Sequence, residues 1–446
     1  MKRVLAAMLV VAMVGAATAA SAQQPDEATI HVEGSLTDLD ANGIDDALDV
    51  AILEGEPNDR VDVVVTMSPG KAQADLRRAV GDFRSGRSFE LINGFEATMA
   101  VGQIRGLARS SSVRRVEPDS TVSIALEGST AEFGADVARS TYAVDGTGVK
   151  ICISDTGIDP AHEQLDNGKV VGFIDYVAGQ PGAYDDHGHG THVANIAAGD
   201  GIGPSAEAVR HAGVAPGASV LAAKTLDSVG NGAISDIVAS IQWCADQGAD
   251  VISLSLGIDE GADGADAMSQ AVDAVTSDHD IPVAVAAGNN GDGDGSVASP
   301  GSAAQAITVG AVAESAGNPG AVERSMGIHL AGFSGRGPTL AGLVKPDVVA
   351  PGVTVSAAQA NVAGGYRLFS GTSMATPFVA GTIALALERD PALSAVGVKT
   401  LLTSTAQDRG VPGHDDNWGA GLLDAWAVVS AAGSSPYVPT VFPRNE

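Results

Sequence analysis

Three short segments hold residue types that can do covalent chemistry. Asp155 stands in Ser154-Asp155-Thr156-Gly157-Ile158-Asp159, just past an apolar run. A lone carboxylate there either serves a neighbouring base or merely caps a helix. The second segment is Asp186-His187-Gly188-His189-Gly190-Thr191-His192-Val193-Ala194. Its glycines let a helix begin close to other backbone, with His189 at the opening. Two chemistries compete: zinc held by His187, His189 and His192, or one imidazole acting as a general base. The spacing lacks the H-E-x-x-H pattern and an obvious third ligand, which disfavours zinc. The third segment, Phe369-Ser370-Gly371-Thr372-Ser373-Met374-Ala375-Thr376-Pro377, leads into the apolar stretch Phe378–Leu387. Ser373 is therefore expected at a helix N-terminus, as a cap or as a nucleophile whose oxyanion meets outward-pointing N–H groups. Ala375 replaces the last glycine of G-x-S-x-G, so this is not the α/β-hydrolase elbow.

A fourth segment suits a metal. In Asp38–Asp49, oxygen-bearing side chains fall at loop positions 1, 3, 5, 9 and 12, namely Asp38, Asp40, Asn42, Asp46 and Asp49. Gly43 occupies position 6, and Ile44 can offer its carbonyl. That spacing suits calcium, which takes six to eight oxygen ligands. The loop is similar to EF-hand-like and thrombospondin-type repeats, but ends in Asp rather than a bidentate Glu. A solvated acidic linker is the alternative.

Elements must position these groups. Val61–Met67 is strand-like, Lys71–Phe83 helix-like, and Phe89–Ala100 a β run broken at Asn93-Gly94. With a helix over Val101–Arg109 and a strand near Val113–Val116, residues 57–125 read as a small α+β, ferredoxin-like plait. From Gly146 onward the texture changes. Apolar runs Val149–Ser154, Ser219–Ala223, Val251–Leu256, Val283–Ala287 and Ala306–Val312 alternate with helical segments and Gly-rich loops. This predicts an α/β domain with a mostly parallel sheet flanked by helices, its chemistry at the carboxyl ends of the strands.

Composition bounds the rest. The 446 residues carry 25 Lys+Arg against 54 Asp+Glu, a net charge of −29. Phosphate backbones would be repelled, so nucleic acid is excluded as a partner. Hydrophobic residues at 45% and charged residues at 18% fit a globular chain rather than a disordered one. Lys2 and Arg3, an apolar run from Val4 to about Ala17 and Ala20-Ser21-Ala22 form a secretory signal layout, residues 1–22, cut after Ala22. The expected location is extracellular or periplasmic, with no membrane attachment after signal removal. Cys152 and Cys244 permit a bridge. Both lie in apolar segments, however, and the reading favours buried free thiols.

The order Asp155, His189, Ser373, with its three motifs, resembles the subtilisin-like serine proteases. Supporting motifs are similar too: Gly213–Ala218, Ser253-Leu254-Ser255-Leu256-Gly257, Ala286–Gly291, Lys345–Gly352 and Trp418–Gly421. The resemblance spans roughly residues 126–433 and implies a subtilisin-like domain. Within it Ser373 would be nucleophile, His189 general base and then acid, Asp155 the group orienting the imidazole, and Asn289 an oxyanion donor. It further implies peptide-binding edges at Ser255, Leu256 and Gly257 and at about Ser228–Gly232. Ala287, Gly288 and the region of Ala298 would wall the pocket for the residue before the scissile bond. No acidic residue is clearly placed there, so apolar or medium side chains are expected, although Asp292 and Asp294 keep basic selectivity open. The plait resembles the family's inhibitory pro-domain, an intramolecular inhibitor with its junction near Ala125-Leu126. Residues 23–56 are read as an acidic linker and 434–446 as a tail. Structural calcium is expected, and no catalytic cofactor. The expected partner is a protein or peptide substrate, and the expected state is a monomer. The overall expectation is a secreted zymogen endopeptidase of broad specificity. A dedicated maturase of one protein and a non-catalytic calcium-binding protein are the alternatives. Two departures stand out: Asn195 where the family usually has Gly, and Ser154 where an aliphatic residue is common.

Overall fold

The computed structural model describes residues 29–30, 38, 41–119, 121–122, 134–258, 262–291, 293–315 and 327–433. The expected signal peptide, the 125/126 junction, the tail, Asp40 and Asp292 lie outside the described residues. Two compact units divide the chain: one takes residues up to 88 and 93–120, the other 89–92 and 121 onward.

The first unit contains β1 (Thr29–Ile30), α1 (Asp46–Glu54), β2 (Arg60–Met67), α2 (Gln73–Val80), β3 (Arg84–Phe89), β4 (Gly94–Ala100), α3 (Val101–Arg105) and β5 (Val113–Pro118). β2 runs antiparallel to β4 and to β5, and β3 lies outside β4, which is the expected plait. Val61, Val63, Val65 and Met67 alternate into a core closed by Leu76, Met99 and Ile104. Boundaries differ from expectation: the two helices narrow to Gln73–Val80 and Val101–Arg105, and two further segments change. The strand before the Asn93-Gly94 turn is Arg84–Phe89, whose Arg-Ser-Gly-Arg-Ser start carries almost no apolar signal. The stretch 23–56 is not all linker. Ile44, Leu48, Ala51 and Ile52, at and within α1, are buried in the plait core.

The second unit opens with β6 (Thr121–Val122), α4 (Ala135–Tyr142), β7 (Lys150–Asp155), β8 (Val170–Asp175) and α5 (His189–Ala198). There follow β9 (Ser219–Lys224), β10 (Gly232–Ala233), α6 (Ile234–Asp246), β11 (Val251–Leu254), α7 (Ala267–His279) and β12 (Val283–Ala286). It closes with β13 (Ile307–Ser315), β14 (Gly327–Leu330), β15 (Val348–Pro351), β16 (Val355–Ala358), β17 (Tyr366–Phe369), α8 (Thr372–Arg389), α9 (Ala395–Thr405) and α10 (Ala425–Ala432). The main sheet has the order β8-β9-β7-β11-β12-β13, with β15 also on β13. All those pairings are parallel, and only β14 runs against them. The chain starts at β7, moves out to β8 and β9, then returns to β11 on the other side. Asp155 thus ends the strand at which the order reverses, where open parallel sheets leave a crevice. Among the described residues no helix is long and apolar enough to cross a membrane.

β7 shows why the sheet is covered on both faces. Ile151 and Ile153 join a core that includes Val193 of α5 and Val379 and Ile383 of α8. Cys152 and Ser154 point the other way, to α6. There Cys152 is disulfide-bonded to Cys244, correcting the expectation of free thiols: a buried apolar setting suits a cystine as well as a thiol. The bridge closes a loop with a sequence separation of 92. Its stabilising effect comes chiefly from restricting the unfolded chain. A Cys152→Ala, Cys244→Ala chain should lose about 2–4 kcal/mol of unfolding free energy in urea titration, with an unchanged far-ultraviolet spectrum.

Candidate active site

The segment after β7 and the start of α5 are packed backbone to backbone. Gly188 caps α5 at φ 99°, a left-handed conformation that favours glycine. A Cβ on Gly190 would lie 2.1 Å from the Gly157 carbonyl oxygen, so only glycine lets the helix start there. His189 is the first residue of α5 and fully buried. Its Nδ1 lies 2.7 Å from Asp155 Oδ1 and 2.9 Å from Oδ2. Facing a carboxylate that only accepts, Nδ1 carries the proton, which leaves the lone pair on Nε2. Among the described residues nothing hydrogen-bonds to that buried Nε2.

Asp185 holds this loop, and sequence reasoning missed it. Its carboxylate accepts from the N–H groups of His187, Gly188 and Thr191 and from the Thr156 and Thr191 hydroxyls. Burial pushes its carboxyl up, but the Thr191 hydroxyl, the Gly188 and Thr191 N–H groups and the Thr156 hydroxyl outweigh that and keep it below the usual range. The available signal was an Asp four residues ahead of the predicted helix start. Lys224, buried at the end of β9, ties the same parts together: Nζ donates to Thr156 O at 2.7 Å, Asp186 Oδ1 at 2.6 Å and Leu226 O at 2.9 Å.

The three histidines do not converge. His192 is buried with Nε2 3.0 Å from Val355 O and 3.1 Å from Arg367 O. Half-buried His187 meets His189 edge to face, with ring centroids 6.4 Å apart. The other side of His189 meets Phe369, at 6.1 Å.

Ser373 lies in the first turn of α8, whose N–H groups have no helical acceptor. Pro377, inside that helix, has no N–H to give the carbonyl four residues back, which is that of Ser373. Ser255 supplies the missing donor, its Oγ reaching Ser373 O at 2.8 Å. In return Ser373 Oγ donates to Ser255 O at 2.9 Å, so in this structure the hydroxyl rests on Ser255 rather than on the imidazole. Asn289 follows β12, and its Oδ1 accepts the Thr372 N–H at 2.8 Å. That contact assigns the amide oxygen and makes Nδ2 the donating end. The expected substrate-binding residues are gathered around one segment. Ala298 N–H donates to Ala287 O, Ile258 N–H donates to Ser299 O, and a Cβ on Gly257 would lie 3.2 Å from Ala298 Cβ. Leu256 and Gly288 are buried beside them, and Asp294 is exposed. In the other unit, Asp38 accepts the Asn42 and Gly43 N–H groups, each at 3.0 Å, and Asn42 Nδ2 donates to Asp49 Oδ2 at 2.7 Å. Ile44 bridges to Val116 through its backbone, and Asp46 opens α1.

A buried imidazole hydrogen-bonded to a carboxylate, and a serine in the first turn of a helix of the same unit, are the groups a serine hydrolase requires. The sequence description of the Subtilase family (Peptidase S8) matches residues 146–421. Serine protease AprX of Bacillus subtilis (strain 168) is 35% identical over 342 residues, 72% of this chain and 75% of that protein. Subtilisin E of the same organism is 35% identical over 349 residues, 77% and 82% of the two chains. Fervidolysin of Fervidobacterium pennivorans, a keratinolytic enzyme related to subtilisin, shares the fold with a TM-score of 0.68 at 24% identity. That match covers 87% of this chain and 62% of that one. The chain belongs to the subtilase family of serine proteases, which need no catalytic cofactor.

Burial pushes the His192 imidazole down to about 3. The folded pKa thus lies below the unfolded value of about 6.5, so the unfolded chain binds the extra proton between them. Stability is complete above pH ~6.5 and falls toward pH ~3 at up to about 1.4 kcal/mol per pH unit. His192→Gln, whose amide keeps a donor, should flatten that slope in denaturant titrations across the window. An unchanged slope would assign the acid sensitivity to other groups.

Proposed function

We propose that the chain is a secreted endopeptidase, made as a zymogen, that hydrolyses peptide bonds through Asp155, His189 and Ser373 with Asn289 as oxyanion donor. The observation carrying this is the Asp155–His189 pair, with its proton on Nδ1 and a bare Nε2 in a buried site. In this reading the Ser373 hydroxyl leaves Ser255 O for Nε2, which removes its proton as Oγ attacks the carbonyl carbon. The imidazolium is stabilised by Asp155 and returns the proton to the leaving amine. The Ser373 N–H and Asn289 Nδ2 face the developing oxyanion, and water then releases the acyl group by the same steps in reverse. The small residues Ala287, Gly288 and Ala298 support acceptance of apolar or medium side chains and broad specificity. A fluorophosphonate probe should label Ser373, and casein should be cut at many sites. Asn289→Ala should lower kcat by about 10²–10³ with KM nearly unchanged. No label on the folded, processed protein would overturn the reading.

The zymogen reading is supported by β6. Thr121–Val122 pairs antiparallel with β10, Val122 opposite Gly232 and Thr121 opposite Ala233, as an added strand does. The expected junction at Ala125-Leu126 follows within four residues. The plait would then be the intramolecular inhibitor, removed by the enzyme's own cut. Ser373→Ala should accumulate at precursor length minus the signal, and efficient processing of that purified variant would overturn self-cleavage.

The loop Asp38–Asp49 is proposed to hold calcium through Asp38, Asp40, Asn42, Ile44 O, Asp46 and Asp49. Support comes from the ligand spacing and from Gly43 at φ 83°, which gives the sharp turn; among the described residues no three acidic or histidine side chains are yet gathered around a cation position, so binding would draw the loop together. Calcium should raise the melting temperature of the precursor, and Asp38→Asn should abolish that rise.

A further inference from the structure

Two residues of β7 and two of α6 form a lock beside the site. Cys152 and Ser154, two apart on a strand, share one face. Ser240 and Cys244, four apart on a helix, share one face as well. Cys152 is bonded to Cys244, and Ser154 Oγ lies 2.8 Å from Ser240 Oγ. Ser154 Oγ also lies 3.0 Å from Thr225 Oγ1, and Ser240 Oγ donates to Ile237 O at 2.7 Å. All five side chains are essentially inaccessible to water. An unpartnered hydroxyl here would cost stability, so the three hydroxyls hold one another to a single arrangement.

What the lock joins is informative. β7 ends at Asp155, whose carbonyl accepts the Thr225 N–H at 2.9 Å and the Leu226 N–H at 3.2 Å. α6 begins at Ile234, immediately after β10. A Cβ on Gly232 would lie 2.1 Å from the Thr225 carbonyl oxygen, so β10 rides directly on the segment that Ser154 grips. β10 is two residues long and cannot fix its own position. Asp155 and His189 have separate anchors in Thr156 N–H and the Asp185 cluster.

We infer that Ser154, Thr225, Ser240 and the Cys152–Cys244 bridge are positioning residues that set the height of the peptide-binding edge β10 above the reacting groups. This rests on the reading of β10 as the edge that takes the peptide. Loosening the lock lets β10 drift while the carboxylate–imidazole pair stays in place, so long peptides bind less well and the chemistry of the serine is unaffected.

Ser154→Ala and Ser240→Ala remove one hydroxyl each without added bulk, and Cys152→Ala, Cys244→Ala removes the bridge. Chains carrying each change, made at full length and allowed to process, are compared on p-nitroanilides with four or two residues before the scissile bond, and for the rate of fluorophosphonate labelling, a probe with no peptide arm. The expected result is KM raised about three- to tenfold on the four-residue substrate, the scale of one backbone hydrogen bond. The two-residue KM, kcat and the labelling rate stay at wild-type levels. Loss of kcat and labelling with KM unchanged would overturn the inference by showing that the lock serves Asp155 instead. No kinetic change beside a lowered melting temperature would overturn it as mere packing. Equal KM for the two lengths in the wild-type chain would remove the peptide-edge reading itself, and this inference with it, while leaving the serine chemistry standing.

Discussion

A carboxylate taken wholly out of water must be given partners, and much of the carboxyl edge of this sheet serves that need. Asp155 is fully buried; its Oδ1 accepts both the imidazole N–H and the Thr156 N–H, each at 2.7 Å, and its Oδ2 lies 2.9 Å from the same imidazole nitrogen. Desolvating an ion is costly unless its lone pairs are satisfied, so the imidazole must be held where its N–H meets both oxygens. That demand fixes the start of α5, which requires the backbone contact at Gly190 and the left-handed Gly188. The loop leading into α5 in turn depends on a second buried carboxylate, Asp185, with five donors of its own. Lys224 then ties the two loops at their outer side. Each buried charge explains the next, and the sequence of the His189 segment is the record of those requirements.

The arrangement depends equally on where β7 lies. Because the strand order reverses around it, the ends of β7, β9, β11 and β12 open toward the same crevice. Asp155, Lys224, Ser255 and Asn289 come from those four ends. One face of β7 packs its isoleucines against α5 and α8, which bring His189 and Ser373. The other face is tied to α6, which starts directly after β10. A single strand therefore sets two distances, one to the reacting groups and one to β10.

Much of this was legible in the sequence because it is local. Apolar runs of five to seven residues located the strands of the parallel sheet, and glycines flanking a histidine announced a close helix start. What escaped was non-local. Periodicity says that Cys152 and Cys244 are buried, but not that a strand and a helix 92 positions apart bring them to bonding distance. The same is true of Ser154, which reads as an irregularity until Ser240 and Thr225 are placed beside it. Helix α1 was hidden for a different reason: the acidic side chains of residues 38–56 suggest a solvated or cation-binding loop, while Ile44 ahead of the helix and Leu48, Ala51 and Ile52 within it carry the packing. β3 was displaced because an edge strand with an exposed face needs few hydrophobic residues.

Pro377 shows how a local defect serves the site. A proline within a helix leaves a carbonyl without its donor, and an unpaired carbonyl at a buried N-terminus is costly. Here the orphan is Ser373 O, and Ser255 fills it from the end of β11. The serine is thereby fastened to the strand end proposed to pair with the peptide. Its own hydroxyl closes the pair by donating to Ser255 O. A peptide N–H arriving at that carbonyl competes with the hydroxyl for the same acceptor. Among the described residues His189 Nε2 is a buried acceptor with no partner, and the proposed mechanism sends the displaced hydroxyl to it. In the proposed mechanism, substrate binding and activation of the serine would be two sides of one exchange of hydrogen bonds.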